Sequence, residues 1–248
     1  AAAAPKILGI DEHFFTKKKG YATTFCDLAQ HKVFDIALGR SEASLRGYLE
    51  GMQGRENTRV AVMDLSETYR NIIQKYFPNA LIVADRFHVI RMVNHHFLNT
   101  WKLIEPEGRK NRGLLSLMRR HGWNLAIPQM DNLRKYLGEN PALEVIYDFK
   151  QELTSLLLSK HQTARSCRYL LPKFLNMIRE LLDSHLEPMK TLGKTLKSWV
   201  TEIVRMWRFT KTNGITEGFH NKMEMMSRRA YGFRNFQNYR MRVRVMCS

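Results

Sequence analysis

Two carboxylates stand where apolar runs stop: Asp11 follows KILGI and Asp64 follows RVAVM. Groups at strand ends in α/β sheets gather where ligands bind. If these two runs are neighbouring strands, the carboxylates face each other within metal-bridging distance. Mg²⁺ prefers hard oxygen ligands and takes one or two protein carboxylates, leaving positions for phosphate oxygens. Two such ions about 3.5–4 Å apart activate water and stabilise the leaving oxygen of a phosphodiester. The competing reading is that each Asp caps a helix or turns the chain. That reading is weaker at Asp64, because Ser66 already offers a cap to the next helix. Glu12 points to the opposite sheet face if its strand continues. His95 and His96 are adjacent, so on a helix they diverge by about 100° and do not readily share a metal.

The elements that must hold these groups follow from periodicity. Residues 6–14 read as a buried strand, and 21–28 and 32–38 as two more, joined by short links into an antiparallel meander. Lys17, Lys18 and Lys19 with Gly20 form the first turn, either an outer phosphate contact or a solvated loop. Ser41 caps a helix in which Leu45, Tyr48, Leu49 and Met52 share a face. Residues 59–64 are an apolar strand, a helix runs from Ser66 until Pro78 stops it, and 80–85 are another strand. Strand, helix and strand with short links imply parallel pairing by a right-handed crossover. The order is βββαβαβ, a mixed α/β sheet. From 87 to 210 helical periodicity replaces strand patterns, with breaks at 122–124 and 139–141. The expected organisation is 5–86 as the first part of the core, 87–210 as an all-helical insertion, and 211–248 as a last helix (214–229) and basic tail completing the core.

Composition narrows the partner. Forty Lys and Arg against 23 Asp and Glu give +17, an excess that attracts a polyanion, most commonly nucleic acid. The apolar fraction of 44% is ordinary for a globular chain, so wholesale disorder is not expected. Cys26, Cys167 and Cys247 form no C-x-x-C pair, which argues against a disulfide framework or a cysteine zinc site and for a reducing, cytoplasmic setting. No apolar run approaches the roughly 20 residues of a membrane span. The opening Ala1 to Ala4 is set aside as uninformative, and the immediate entry into a strand hints at an upstream domain that this chain lacks.

Four blocks, in order, carry a family resemblance: G-I-D-E-H; V-M-D-L-S-E-T-Y-R; F-P-N-A-L-I-V-A-D-R-F-H-V; and T-N-G-I-T-E-G-F-H-N-K-M with R-R-A-Y-G-F-R-N-F. Together they resemble bacterial insertion-sequence transposases, the ISL-three family of the DDE class. The resemblance covers residues 7–95 and 208–240. It implies an RNase H-like core, Asp11, Asp64 and Glu217 as the metal-binding acids, and two Mg²⁺ (or Mn²⁺) ions per site. It further implies hydrolysis at transposon ends followed by strand transfer into target double-stranded DNA, and a homodimer on DNA. An RNase H-like nuclease or resolvase without strand transfer, or an inactive DNA-binding remnant, are the rival readings. Family members generally carry an N-terminal zinc-binding and helix-turn-helix region, and this chain shows neither.

Glu217 suits its role, on the first turn of a helix started by Thr212, Asn213 and Gly214; alternatively it only favours the positive end of the helix dipole. Asp85 and His88 form a D-x-x-H pattern found in several transposase families, where His88 touches the site or packs beneath it. Glu224 projects from nearly the same helix face as Glu217, either as an auxiliary acid or as a partner for Arg228 at i+4. Only Glu217 and Glu224 oppose the bases between Arg205 and Arg244, so Lys222, Arg228, Arg229 and Arg234 are read as phosphate contacts flanking the metal site. Tyr231, Phe233 and Phe236 are base-stacking candidates, with core packing expected for at least two of them. Core packing is also expected for Trp101, Trp123, Trp199 and Trp207.

Overall fold

The structure is a computed structural model in which residues 3–211 and 213–247 are described. The chain divides into two compact units, one of Ala1–Phe87 with Phe209–Ser248 and one of His88–Arg208.

The first unit is built on a mixed five-stranded sheet of β1 (Ile7–Thr16), β2 (Gly20–Asp27), β3 (Lys32–Leu38), β4 (Val60–Met63) and β5 (Leu81–Ala84), in the order β3-β2-β1-β4-β5. The expected meander is present: β1–β2 and β2–β3 are antiparallel, while β1–β4 and β4–β5 are parallel. The turn at residues 17–19 closes on Gly20, whose φ of 73° favours glycine. Between the strands lie α1 (Glu42–Glu50), capped by Ser41, and α2 (Glu67–Tyr76), capped by Ser66, which accepts from Tyr69 N. Leu8, Ile10, Phe25, Ile36, Leu45, Leu49, Val62, Ile73 and Val83 form its buried interior.

Two boundaries differ from the sequence reading. Strand β1 runs through Asp11 and past the expected end at residue 14 to Thr16, because antiparallel pairing with β2 persists beyond the last parallel pair, Ile10↔Met63. The basic tail contains a helix. After α11 (Gly214–Arg229), α12 spans Phe236–Met246, with Asn235 Oδ1 accepting from Gln237 N at 2.8 Å and Asn238 N at 3.3 Å. Phe236, Tyr239 and Val243 recur at helical spacing on its buried face. The arginines between them hid that period, since they occupy the other faces of the same helix. One of them, Arg240, lies against β3 instead, donating to Asp35 Oδ1 at 2.7 Å and Oδ2 at 2.5 Å. Cys247 O then accepts from Val33 N at 2.7 Å.

The second unit is all helical: α3 (Arg86–Ile104) leads into it, followed by α4 (Pro106–Lys110), α5 (Arg112–Arg119), α6 (Ile127–Gly138), α7 (Pro141–Leu157), α8 (Ala164–Asp183), α9 (Glu187–Ser198) and α10 (Val200–Arg208). Phe97, Trp101, Met118, Leu133, Leu137, Leu143 and Tyr147 pack as one core cluster. Trp101, Trp199 and Trp207 are buried as expected, but Trp123 is 58% exposed and stacks on His121 at 4.6 Å. It sits on a short turn, Gly122–Asn124, none of whose residues is buried.

Lys150 is the most buried cation of this unit, and its Nζ donates to the carbonyls of Met118, Arg119 and Arg120 at the end of α5. Burial pulls its pKa down to about 8 from an ordinary 10.5. The unfolded chain therefore binds the extra proton between those two values, so stability rises as pH goes from 8 to 10.5. The gain is about 3 kcal/mol at 1.36 kcal/mol per unit. Urea unfolding at pH 8 and pH 10 should show this rise, and Lys150→Met should lack it; an equal slope in both proteins would refute the assignment.

Candidate active site

Parallel register brings the carboxylates to one edge. Ile10↔Met63 and Met63↔Ala84 are the last parallel pairs, so Asp11, Asp64 and Asp85 each come one residue later on adjacent strands. In-register residues on neighbouring strands, about 4.8 Å apart, point to the same face. Tyr69 on α2 packs against this end of the sheet: burial raises its phenol pKa first, and the charges of Glu12, Asp64 and Asp11 raise it further.

Asp11 is half-buried, and its Oδ1 accepts the N–H of Glu12 at 2.8 Å. Its Oδ2 faces His220 Nδ1 on α11 at 4.0 Å. Glu12 lies on the other face of β1 and pairs with Arg40 at 3.0 Å. Asp64 is half-buried and is not the helix cap, since Ser66 holds that place. Asp85 is 2% exposed, and its Oδ1 accepts from the backbone N of Asn213 at 3.3 Å.

That last contact shows how α11 is seated. Asn213 Nδ2 donates to Ile10 O at 3.0 Å, its Oδ1 accepts from Thr216 Oγ1, and Thr216 in turn approaches Cys26 Sγ at 3.3 Å. Gly9 makes room for this: a Cβ there would lie 2.5 Å from Asn213 Oδ1. Burial raises the Cys26 thiol to about 12, so it stays protonated beside Thr216. Thr212 falls outside the described residues. Glu217, on the first turn after this anchor, is exposed. His220, three residues later, shares its side of the helix.

Among the described residues no three Asp, Glu, His or Cys side chains stand close enough to hold one ion, so Glu217 does not join the two aspartates in this arrangement. The donor chemistry still suits a hard divalent cation, because Asp11 and Asp64 offer only carboxylate oxygens on the same side of neighbouring strands.

A profile of the ISL-three DDE family, described as Transposase, matches residues 8–243. The chain belongs to this family. It is 24% identical over 249 residues to "Transposase for insertion sequence element IS1001" of Bordetella parapertussis, a match covering 96% of this chain and 60% of that protein. The chain thus spans about 60% of the length of that transposase. It is also 23% identical over 122 residues to a protein named "ATP-dependent protease" of Lactococcus lactis subsp. lactis, covering 48% of this chain and 35% of that one. No solved structure matches.

The remaining residues singled out in the transposase blocks separate by surroundings. Glu224 pairs with Arg228 at 2.5 Å, the i+4 ion pair of an exposed helix face. Lys222 reaches the carbonyl of Met246 near the end of α12. Arg229 and Arg234 are exposed. His88 is half-buried on the first turn of α3. Phe236 is buried and Phe233 half-buried against Tyr239, with ring centroids 5.2 Å apart, whereas Tyr231 is fully exposed. Tyr231 also has a φ of 52°, a left-handed conformation in the turn that ends α11. No helix of the described residues is long and apolar enough to cross a membrane.

The sequence reading passed over Thr24, His13 and Tyr239, and took Asn213 only as part of a helix start. Signals existed for two of these: His13 is two residues from Asp11 and so shares its strand face, and Asn213 sits at the helix start of the T-N-G-I-T-E block. Thr24 carries no motif, and only the β1–β2 register sets it opposite Asp11.

Proposed function

We propose that this chain is the catalytic part of a DDE transposase with an RNase H-like core, cutting DNA at transposon ends and joining the freed ends to target DNA. The observation that carries this reading is the parallel register of β1 and β4 in a transposase-family chain, which sets Asp11 and Asp64 side by side at one sheet edge. Asp11, Asp64 and Glu217 would hold two Mg²⁺ or Mn²⁺ ions. When bound, such ions lower the pKa of the attacking hydroxyl and offset charge on the leaving oxygen. Asp11 keeps one oxygen oriented by the Glu12 amide. Glu217 is delivered by a helix whose start is tied to β1 and Asp85, so rotation of its side chain toward the strand ends completes the triad. The helical unit is then the insertion of this core. We further propose a homodimer on paired ends and a cytoplasmic, nucleoid-associated location.

The test is direct. Incubated with Mg²⁺ and intact end DNA, the full chain should yield 3′-hydroxyl ends, and with pre-cleaved ends it should yield joined products; chelation should abolish both. Cleavage without joining would replace this reading by that of a nuclease or resolvase. Binding without either reaction would leave an inactive DNA-binding remnant.

The basic residues lead to a separate expectation. Arg229 and Arg234 are exposed on and just after α11, placed to meet phosphates. Arg229→Ala or Arg234→Ala should weaken binding to any duplex and lower the slope of log K against log salt by about 1 each. Anisotropy titrations at several salt concentrations measure this slope. An unchanged slope would remove either arginine from the phosphate contacts.

A further inference from the structure

Beside Asp11 lies an open cleft of about 590 Å³ lined by His13, Phe15, His220, Glu224, Arg228 and Tyr239, among others. A single hydrogen-bonded chain of side chains runs along its wall. Tyr239 OH meets His13 Nε2 at 3.0 Å, His13 Nδ1 meets Thr24 Oγ1 at 2.9 Å, and Thr24 Oγ1 meets His220 Nε2 at 3.0 Å. The far nitrogen of His220 faces Asp11 Oδ2. Thr24 is the cross-strand partner of Asp11, so both project from the same face of the sheet.

Proton counting gives this chain a direction. Between neutral rings, Thr24 has one hydroxyl proton, so it donates to one imidazole and accepts from the other. If it donated to His13, His220 Nδ1 would turn a lone pair toward the Asp11 carboxylate. If it donates to His220, His220 Nδ1 carries the hydrogen that faces Asp11, and the carboxylate is attracted rather than repelled. The second order requires His13 to hold its proton on Nδ1 and to accept at Nε2 from Tyr239. Tyr239 can do so, because burial raises its phenol pKa and Ser227 supplies its oxygen with a hydrogen bond.

We infer that His220 is a positioning residue for Asp11, held in its Nδ1–H tautomer by the relay Tyr239 to His13 to Thr24 and aiming that N–H at the carboxylate. This rests on Asp11 being a working acid of the site. A positioned carboxylate keeps its lone pairs directed across the strand ends, toward Asp64, rather than rotating into the cleft. The relay links side chains of β1, β2, α11 and α12, so both terminal helices contribute to the orientation of one oxygen.

The experiment combines a spectroscopic and a kinetic readout on the full chain. Imidazole ¹⁵N–¹H correlation spectra should show His13 and His220 both as neutral Nδ1–H tautomers. Thr24→Val, which keeps the side-chain shape and removes the hydroxyl, should shift the His220 tautomer signals. It should also lower kcat for Mg²⁺-dependent end cleavage about 10–100-fold, the range for loss of a partner that orients a metal ligand, with KM for DNA unchanged. Thr24→Ser should restore both signals and rate. A His220 ring found as Nε2–H or as imidazolium in the wild-type protein overturns the proposal whatever the activity. So does Thr24→Val with altered tautomers but wild-type kcat, while Asp11→Asn in the same assay remains inactive and the catalytic reading stands. Activity retained by Asp11→Asn would sink the catalytic reading itself, and the positioning role with it.

Discussion

Asp64→Asn is expected to reduce end cleavage and joining about 10³-fold or more, while the protein stays folded and still binds DNA. The substitution keeps the shape of the side chain and exchanges a charged oxygen for an amide that ligates a hard cation poorly. A loss of that size corresponds to about 4 kcal/mol of transition-state stabilisation, in line with removing one preorganised electrostatic contact. Folding should be spared, because Ser66 rather than Asp64 caps α2 and β4 is buried through Val60–Met63 whatever follows it. Affinity for duplex DNA should hold or rise slightly, since a negative charge is removed from a chain of net charge +17. Product formation on denaturing gels and anisotropy on the same DNA measure the two properties. Undiminished cleavage would eliminate Asp64 as a catalytic acid.

The second large effect is expected far from any charged group. Gly9 is mid-strand in β1, and its missing side chain is filled by Asn213 and Leu28: a Cβ would meet Asn213 Oδ1 at 2.5 Å and Leu28 Cδ2 at 2.7 Å. Leu28 can rotate. Asn213 cannot move without giving up its bonds to Ile10 O, Thr216 and the Asp85 carboxylate. Gly9→Val should therefore destabilise the sheet unit by about 3 kcal/mol, the upper range for overpacking a filled site. Activity should fall by more than the folded fraction explains, because the displaced α11 carries both Glu217 and His220. Urea unfolding and cleavage rates, compared on the folded population, separate the two losses. Wild-type stability in Gly9→Val would show that α11 is not seated on β1 as described.

Much of the sheet was legible because its signals are local. Each strand is a short apolar run bounded by polar or turn residues, and Ser41 and Ser66 mark helix starts by chemistry that needs no distant partner. The strand-helix-strand order also implied that β4 and β5 pair in parallel, which brings their ends, Asp64 and Asp85, to one edge. What stayed hidden depended on partners remote in sequence. The tail looked like a charge run because its apolar period of Phe236, Tyr239 and Val243 is diluted by arginines, one of which is neutralised by Asp35 some 205 residues away. Trp123 had the composition of a core residue, but its turn leaves it in solvent.

Asp85 marks the boundary most clearly. As a sequence feature it is equivalent to Asp64, an acid closing a buried strand. Only the fold distinguishes them, by giving Asp85 the amide of Asn213, 128 residues on, and burying it as the anchor of α11. The sequence by itself determined the strands of the sheet and the helices between them, the family and the placement of acids at strand ends, because backbone propensity, patterning and motif act over a few residues. Tertiary structure alone decided which acid anchors a helix and which faces a histidine. Those choices are hydrogen bonds between strands and helices that meet only after the chain has folded.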